Sequence, residues 1–234
     1  MTIDPLDAYP KTFRIFIGYD PKETVAYHVL AHSILRQARG PVSITPVARG
    51  HLGGLYTRPR GDKESTEFSM TRFLVPYLAG YDGPALFMDC DMLVQGDITE
   101  LLVYPAAFPD VAVFCCQHDY TPSVTTKFLG QQQTAYPRKN WSSLMLFNAS
   151  HCRALTPDYV NGATGLELHR FQWTTDDKVG ALPIEWNWLI EDYEPNAKAR
   201  ILHWTNGGPW FADYATCEHA ALWYAERDRM LRAA

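Results

Sequence analysis

The sequence has no apolar run approaching the roughly 20 residues that a membrane-spanning helix requires. Its start, MTIDPLDAYPKT, is polar and acidic, where a secretory leader would be basic and then apolar. Both features point to a cytoplasmic chain. Basic charge is not in excess: 21 Lys and Arg against 26 Asp and Glu leave a net charge of -5, so no general electrostatic force draws the chain to nucleic acid. Cysteine is scarce and unpatterned. Cys90, Cys115, Cys116, Cys152 and Cys217 are odd in number and two are adjacent, which suits neither a disulfide framework nor a zinc site, and they read as buried thiols. Repeats, low-complexity tracts and linker-like stretches are also missing. The 234 residues therefore read as one domain, 1–234, with an N-terminal extension at 1–12 and a C-terminal helix at 213–234.

What is present is an alternation of strands and helices. FRIFIGY, Phe13 to Tyr19, is a β-rich run stopped by Asp20-Pro21 and reads as a first, central strand. Lys22 to Arg39 places Val25, Val29, Ile34 and Leu35 close to one helical face, and Gly40-Pro41 ends it. A second strand at Val42 to Val47 makes the opening β-α-β, which favours a parallel sheet. Residues 49 to 64 read as a surface loop, followed by a helix from Thr66 to Ala79 that Pro76 kinks or shortens. Strands are expected at Pro84 to Asp89, Val111 to Cys116 and Ser143 to Phe147, with a short helix at Ile98 to Leu102. The aperiodic stretch from Gln117 to Asn140 has the length of a lid or binding loop.

Chemistry concentrates in LFMDCDMLV, Leu86 to Val94. An apolar strand runs into two carboxylates, each costly to bury uncompensated. In a parallel sheet ligands bind beyond the carboxyl ends of the strands, which is where Asp89 and Asp91 fall. Residues i and i+2 of an extended segment point the same way, so both carboxylates face one hard divalent cation while Cys90 faces the core. The plainer alternative is that Asp89 caps a turn and Asp91 is solvated.

LFMDCDMLVQGDITELL resembles the nucleotide-sugar transferases of glycosyltransferase family 8, in which a strand ends in D-x-D and an acidic residue opens a short helix. Three further segments agree in order: TRFLVPYLAG, with its arginine four residues before a proline; DDKVGALPIEWNW, similar to the family's D-Q-D-x-L-N segment followed by Leu-Pro and Trp-Asn; and ILHWTNGGPWF, similar to its late histidine segment ending in Pro-Trp. The resemblance covers roughly residues 13 to 212.

That resemblance implies an α/β GT-A fold, Rossmann-like, with a mixed, mostly parallel central sheet. It implies a UDP-sugar donor held by Mn²⁺ (or Mg²⁺), a glycan or lipopolysaccharide-type saccharide acceptor, and hexosyl transfer with retention. It assigns the metal to Asp89, Asp91 and His203, where the alternative for His203 is a structural histidine after an apolar strand. Arg72 matches the arginine that reaches the donor sugar and phosphates, or else is a surface residue of its helix. Gly18, Tyr19 and Asp20 match the base and ribose site; Tyr19 reads equally as a ring for uracil or as core. Ser142 and Ser143 stand where relatives contact the donor sugar, with Asn148 read as the cap of the next helix. Asp176 and Asp177 align with the Gln-Asp beside the reacting face, against the alternative of a solvated pair at a helix start. Relatives carry a lysine before the Pro-Trp, and here it is missing. Backbone N–H groups of Gly207 and Gly208, or a charge from Lys127, Arg138 or Lys139, are the expected substitutes.

Relatives also seat their C-termini on membranes, which implies a peripheral contact at the inner membrane face. Glu226 and Asp228 interrupt the basic residues of the last helix, which favours packing on the domain instead. Two other functions stay open: a non-catalytic nucleotide-sugar or glycan-binding protein, and a metal-dependent nucleotide-sugar hydrolase or nucleotidyltransferase.

Overall fold

The computed structural model describes residues 12–61, 64–119 and 138–232. Among the described residues nine strands form two sheets. The larger has the order β2-β1-β3-β6-β5-β7, built from β1 (Phe13–Tyr19), β2 (Val42–Ala48), β3 (Pro84–Met88), β5 (Val113–Cys116), β6 (Leu144–Asn148) and β7 (Val179–Leu182). The smaller has the order β4-β9-β8, from β4 (Met92–Val94), β8 (Trp188–Leu189) and β9 (Ile201–His203). β1 pairs in parallel with β2 and β3, β5 pairs in parallel with β7, and β6 runs antiparallel to both β3 and β5. The expected mixed, mostly parallel sheet is present. β1 lies one place in from the edge rather than at the centre, which β3 and β6 occupy.

β3 is apolar at every position because both of its faces are covered, the pattern of an interior α/β strand. Helix α1 (Thr24–Gln37) buries Ala26, Tyr27, Val29, Leu30, Ser33 and Ile34. Val25 and Leu35 are exposed, so the expected apolar face was drawn two residues too wide. The helix expected from Thr66 to Ala79 is a 3₁₀ turn, Thr71–Leu74, and a single α turn, α2 (Val75–Leu78). Pro76 has no N–H to continue a helix but suits the first positions of a new one.

The shorter helices α3 (Val103–Ala107), α4 (Pro157–Gly162) and α5 (Gly165–His169) cover the flanks, α5 entered through a capping box from Thr164 and Glu167. The loop at 49–61 is tied down: Asn161 Oδ1 accepts the N–H groups of Thr57 and Arg58, and Arg58 donates to the Ala163 carbonyl.

The last helix, α6 (Ala220–Leu231), docks on α1. Trp223 is buried between them, and Glu226, 1% exposed, accepts from Arg36 Nε at 2.9 Å and pairs with His32 Nδ1 at 2.8 Å. The expected packing of this segment on the domain is what is found. Among the described residues no helix is long and apolar enough to cross a membrane. Cys90, Cys115, Cys116 and Cys152 are buried free thiols, whereas Cys217 is half-buried. Residues 1–11 of the N-terminal extension and residues 120–137 of the expected lid, with Lys127, lie outside the described residues.

Candidate metal centre

The strand register decides what meets at the sheet edge. Ile17 of β1 faces Met88 of β3, and Met88 faces Leu144 of β6. The carboxyl ends of β1 and β3 and the amino end of β6 therefore coincide, and Asp89 continues the ladder by donating its N–H to the Ser143 carbonyl at 2.9 Å. Three residues further the chain enters β4, whose Met92 faces His203 of β9. These pairings bring Asp89, Asp91 and His203 together, with one ligand atom from each lying within 4.8 Å of the others. Cys90 points into the core as its alternation with the aspartates requires.

Each of these three side chains is braced. Arg72 Nη1 lies 2.8 Å from Asp89 Oδ1 and donates to the Ser142 carbonyl at 2.9 Å, while its guanidinium sits over the rings of Phe68 and Phe87. Burial pushes the Asp89 carboxyl up to about 6, the Arg72 and His203 charges opposing and the Asp91 charge adding. His203 Nε2 lies 3.2 Å from Asp91 Oδ1, and its Nδ1 lies 2.8 Å from Asn187 Oδ1. Two carboxylate oxygens and an imidazole nitrogen fit a divalent cation of the Mn²⁺ type, because imidazole suits softer ions than Mg²⁺. Buried Asp89 Oδ1, paired by charge but with no aligned hydrogen bond, is an acceptor such an ion would satisfy.

Other residues singled out from the sequence take different places. Asp20 is buried, its Oδ1 accepting Lys22 N–H at 2.9 Å and its Oδ2 accepting Glu67 N–H at 3.1 Å, so it fastens the 64–68 segment over the end of β1. Gly18 lies under Phe68, where a Cβ would enter the ring. Tyr19 is half-buried, edge-on to Tyr27 and bonded to Thr24 Oγ1 at 3.1 Å. Ser142 and Ser143 are buried with hydroxyls bonded inside, to His169 Nδ1 at 2.7 Å and to the Asn140 carbonyl at 2.7 Å, rather than presented to a ligand. Asn148 stands at the N-cap position of the 3₁₀ turn Ala149–His151 but makes no side-chain capping bond: its amide donates to the Pro109 carbonyl and its oxygen accepts from Ser150 Oγ.

Gly207 has φ 132°, a backbone that L side chains rarely adopt, but its N–H is taken by the Trp204 carbonyl at 3.0 Å. The expected cradle of two glycine N–H groups is thus reduced to that of Gly208. Gly208 itself must be glycine, since a Cβ there would enter the Trp210 ring. Arg138 does not stand in for the missing lysine: it stacks over Trp141, donates to the Arg170 carbonyl and pairs with Asp176 at 2.6 Å. Lys139 is buried.

The aspartates at 176 and 177 are not brought to this edge. Val179 faces Val113, Val113 faces Phe147, and Phe147 faces Ala85, so β7 enters the sheet at the end remote from Asp89. Asp176 is 85% exposed on its side chain, and among the described residues neither aspartate bonds to the Asp89, Asp91 and His203 group. The physical reason is length: the Asp176–Lys178 turn passes directly into β7, with no helix between to carry the pair back over the sheet.

Three further residues stand beside this group without a signal in the sequence that assigns them there. Glu23 is 1% exposed and accepts Trp210 Nε1–H at 3.1 Å, linking the turn after β1 to the turn after β9. Burial holds its carboxyl well above the usual carboxylate range, the Asp91 and Asp20 charges adding and the Trp210 N–H opposing. At the first turn of a helix it looks like a solvated residue. His118, next to Tyr193 at 2.8 Å, is pushed down to about 3 by burial and then by His203, and so is neutral. Asn187 is fully buried against His203. The Trp-Asn pair in IEWNW is the sequence feature that marks it.

No family model matches the chain. Protein CDI of Arabidopsis thaliana is 48% identical over an alignment of 227 positions that covers 93% of this chain and 87% of that protein. The chain belongs to the Protein CDI family. Among solved structures the CDI-family chain is similar to the WbbM bifunctional glycosyltransferase, with TM-score 0.64 and 14% identity over 93% of this chain, and it spans about half, 52%, of that chain. It is also similar to the galactosyltransferase LgtC solved with donor and acceptor sugar analogs, with TM-score 0.60, 11% identity, and 95% and 98% of the two chains covered. Mouse xyloside xylosyltransferase 1 follows at TM-score 0.51 and 14% identity over 85% of this chain and 100% of that one. These likenesses show the GT-A glycosyltransferase fold.

Proposed function

We propose that the chain is a metal-dependent glycosyltransferase of the family 8 type, moving a hexosyl group from a UDP-sugar to a saccharide acceptor with retention of configuration, in glycan or lipopolysaccharide-type polysaccharide synthesis. The observation that carries the reading is the meeting of Asp89, Asp91 and His203 at the carboxyl end of β3 on a GT-A fold. Ligands of open α/β sheets bind at that edge, and the LgtC structure was solved with donor and acceptor sugar analogs.

Asp89, Asp91 and His203 would hold Mn²⁺ (or Mg²⁺), which when bound supplies Lewis acidity for the negative charge of the leaving diphosphate. Arg72 keeps Asp89 ionised and aimed, a planar cation pinned between two aromatic rings. Tyr19, half-buried at the end of β1, borders the place for the uracil, and Asp20 shapes it by holding the 64–68 segment. The turn at Gly207 and Gly208, locked by Trp210 and Glu23, closes the diphosphate side. The departing phosphate oxygen takes the acceptor proton, so the reaction needs no side-chain base.

Calorimetric titration of UDP and UDP-sugars, with Mn²⁺ and with EDTA, on wild type and Asp91→Ala tests this. Metal-dependent binding that Asp91→Ala abolishes is the expected result, and the tightest sugar is the donor to assay for transfer. Absence of UDP binding in both conditions would sink the assignment. The missing lysine before Pro209-Trp210 favours one second reading, donor binding without turnover. UDP release that depends on acceptor decides against it.

A further inference from the structure

Asn187 closes the 3₁₀ turn Ile184–Asn187 and is completely buried. Its side chain touches two groups: Nδ2 donates to Ser143 Oγ at 2.8 Å, and Oδ1 lies 2.8 Å from His203 Nδ1. Ser143 Oγ in turn donates to the Asn140 carbonyl at 2.7 Å. The direction of every proton in this chain follows from its last member. A backbone carbonyl only accepts, so the single hydroxyl proton of Ser143 goes to Asn140. Ser143 Oγ must then accept from its other neighbour, which turns the amide nitrogen of Asn187 toward Ser143 and the amide oxygen toward His203. An amide oxygen only accepts, so His203 carries its proton on Nδ1. In the neutral ring its Nε2 is then left with a lone pair, directed at the Asp91 oxygen 3.2 Å away. Two electron-rich atoms at that separation repel unless a proton or a metal cation lies between them.

We propose that Asn187, held in one amide orientation by Ser143, is the positioning residue that sets the tautomer of His203 and so makes Nε2 a metal ligand. The inference rests on the metal reading above and adds to it a device in which three residues outside the ligand set decide whether the histidine can bind. Ser143 serves the site twice, because its carbonyl also accepts the Asp89 N–H at 2.9 Å. One residue therefore anchors the strand end that carries the aspartates and, through Asn187, the strand that carries the histidine. Partners of this kind fix ring orientation in metal sites, and their loss typically weakens the metal about 10- to 100-fold.

Three variants separate the device from packing. Ser143→Ala removes the hydroxyl and keeps the carbonyl to Asp89; it frees the Asn187 amide to turn over, offering N–H to His203 and moving the histidine proton to Nε2. Asn187→Leu removes both bonds. Asn187→Asp keeps an acceptor toward Nδ1 and is the conservative rescue.

The experiment is long-range ¹H–¹⁵N NMR of histidine-labelled, metal-free protein at pH 8, with His203 assigned from the spectrum of His203→Gln, together with calorimetric Mn²⁺ titration of each variant. The expected result is an Nδ1–H tautomer for His203 in the wild type and in Asn187→Asp, and a mixed or Nε2–H tautomer in Ser143→Ala and Asn187→Leu. Mn²⁺ affinity falls at least 10-fold in the latter two and stays within about threefold in Asn187→Asp. A wild-type His203 protonated on Nε2, or Mn²⁺ affinity unchanged in both Ser143→Ala and Asn187→Leu while the wild type binds, overturns the inference and leaves the metal centre standing. A wild type that binds no Mn²⁺ overturns the proposed function itself, and the inference with it.

Discussion

Glu226 offers a perturbation whose size and pH dependence both follow from the structure. Its carboxylate is 1% exposed and faces His32 and Arg36 of α1 and Arg229 of its own helix, at 2.8, 2.9 and 3.1 Å. Hydrogen bonds to a charged group contribute about 1.5–3 kcal/mol each when buried, but the three partner side chains are 30%, 36% and 58% exposed and are screened by water. Glu226→Gln keeps the shape and loses the charge, so we expect a loss of about 2 kcal/mol at pH 7.5. For a chain of this length that lowers Tm by about 4–8 °C.

Burial raises the Glu226 carboxyl, but the bonds from Arg36 and His32 outweigh it and leave the folded value below the ordinary 4.5. A carboxyl depressed on folding stabilises fully above its unfolded value and loses that contribution as pH falls through the folded one. The gap between wild type and Glu226→Gln should therefore be constant from pH 6 to 8 and shrink toward zero below pH 4.5. Urea unfolding at pH 7.5, 5 and 4 measures it. A gap under about 0.5 kcal/mol at pH 7.5, or one that persists undiminished at pH 4, would refute the charged clamp between α1 and α6.

Three further perturbations bear on the site. Gly208→Ala forces a methyl into a Trp210 ring that Glu23 and Trp204 hold in place, which should cost about 1–3 kcal/mol and weaken UDP binding; an unchanged Tm and affinity would show that the turn yields. Asp89, ordinary value 3.8, is pushed to about 6, so its charge is an expense to the metal-free fold that grows as pH rises from about 4 through 6 and that a cation relieves. The rise in Tm on adding Mn²⁺ should accordingly be larger at pH 7.5 than at pH 5, and an equal rise at both would contradict the assignment. Asp176→Asn should leave Tm, Mn²⁺ affinity and transfer rate unchanged, because the residue lies at the remote end of β7; a fall in transfer rate with binding intact would return Asp176 to the reacting face.

The sequence by itself determined the local features. Strand β1 begins and ends at the expected residues, since an apolar β-rich run stopped by Asp-Pro has few other solutions. The direction of Asp89, Asp91 and Cys90 follows from the two-residue period of extended chain, which is a property of the backbone and not of its surroundings. The late histidine was legible only as a motif match. Tertiary structure decided what depends on which strands become neighbours. Sheet order put β6 antiparallel beside β3, which turned Ser142 and Ser143 from expected sugar contacts into internal braces. It set β7 in a register that carries Asp176 and Asp177 away from Asp89, Asp91 and His203. It also buried Glu23 beside Trp210 and Asn187 beside His203, pairs separated by 187 and 16 residues. A period along the chain reports which way a side chain points; it carries no information about what folds back to meet it, and at this site that second fact sets the burial of Glu23 and the partners of His203.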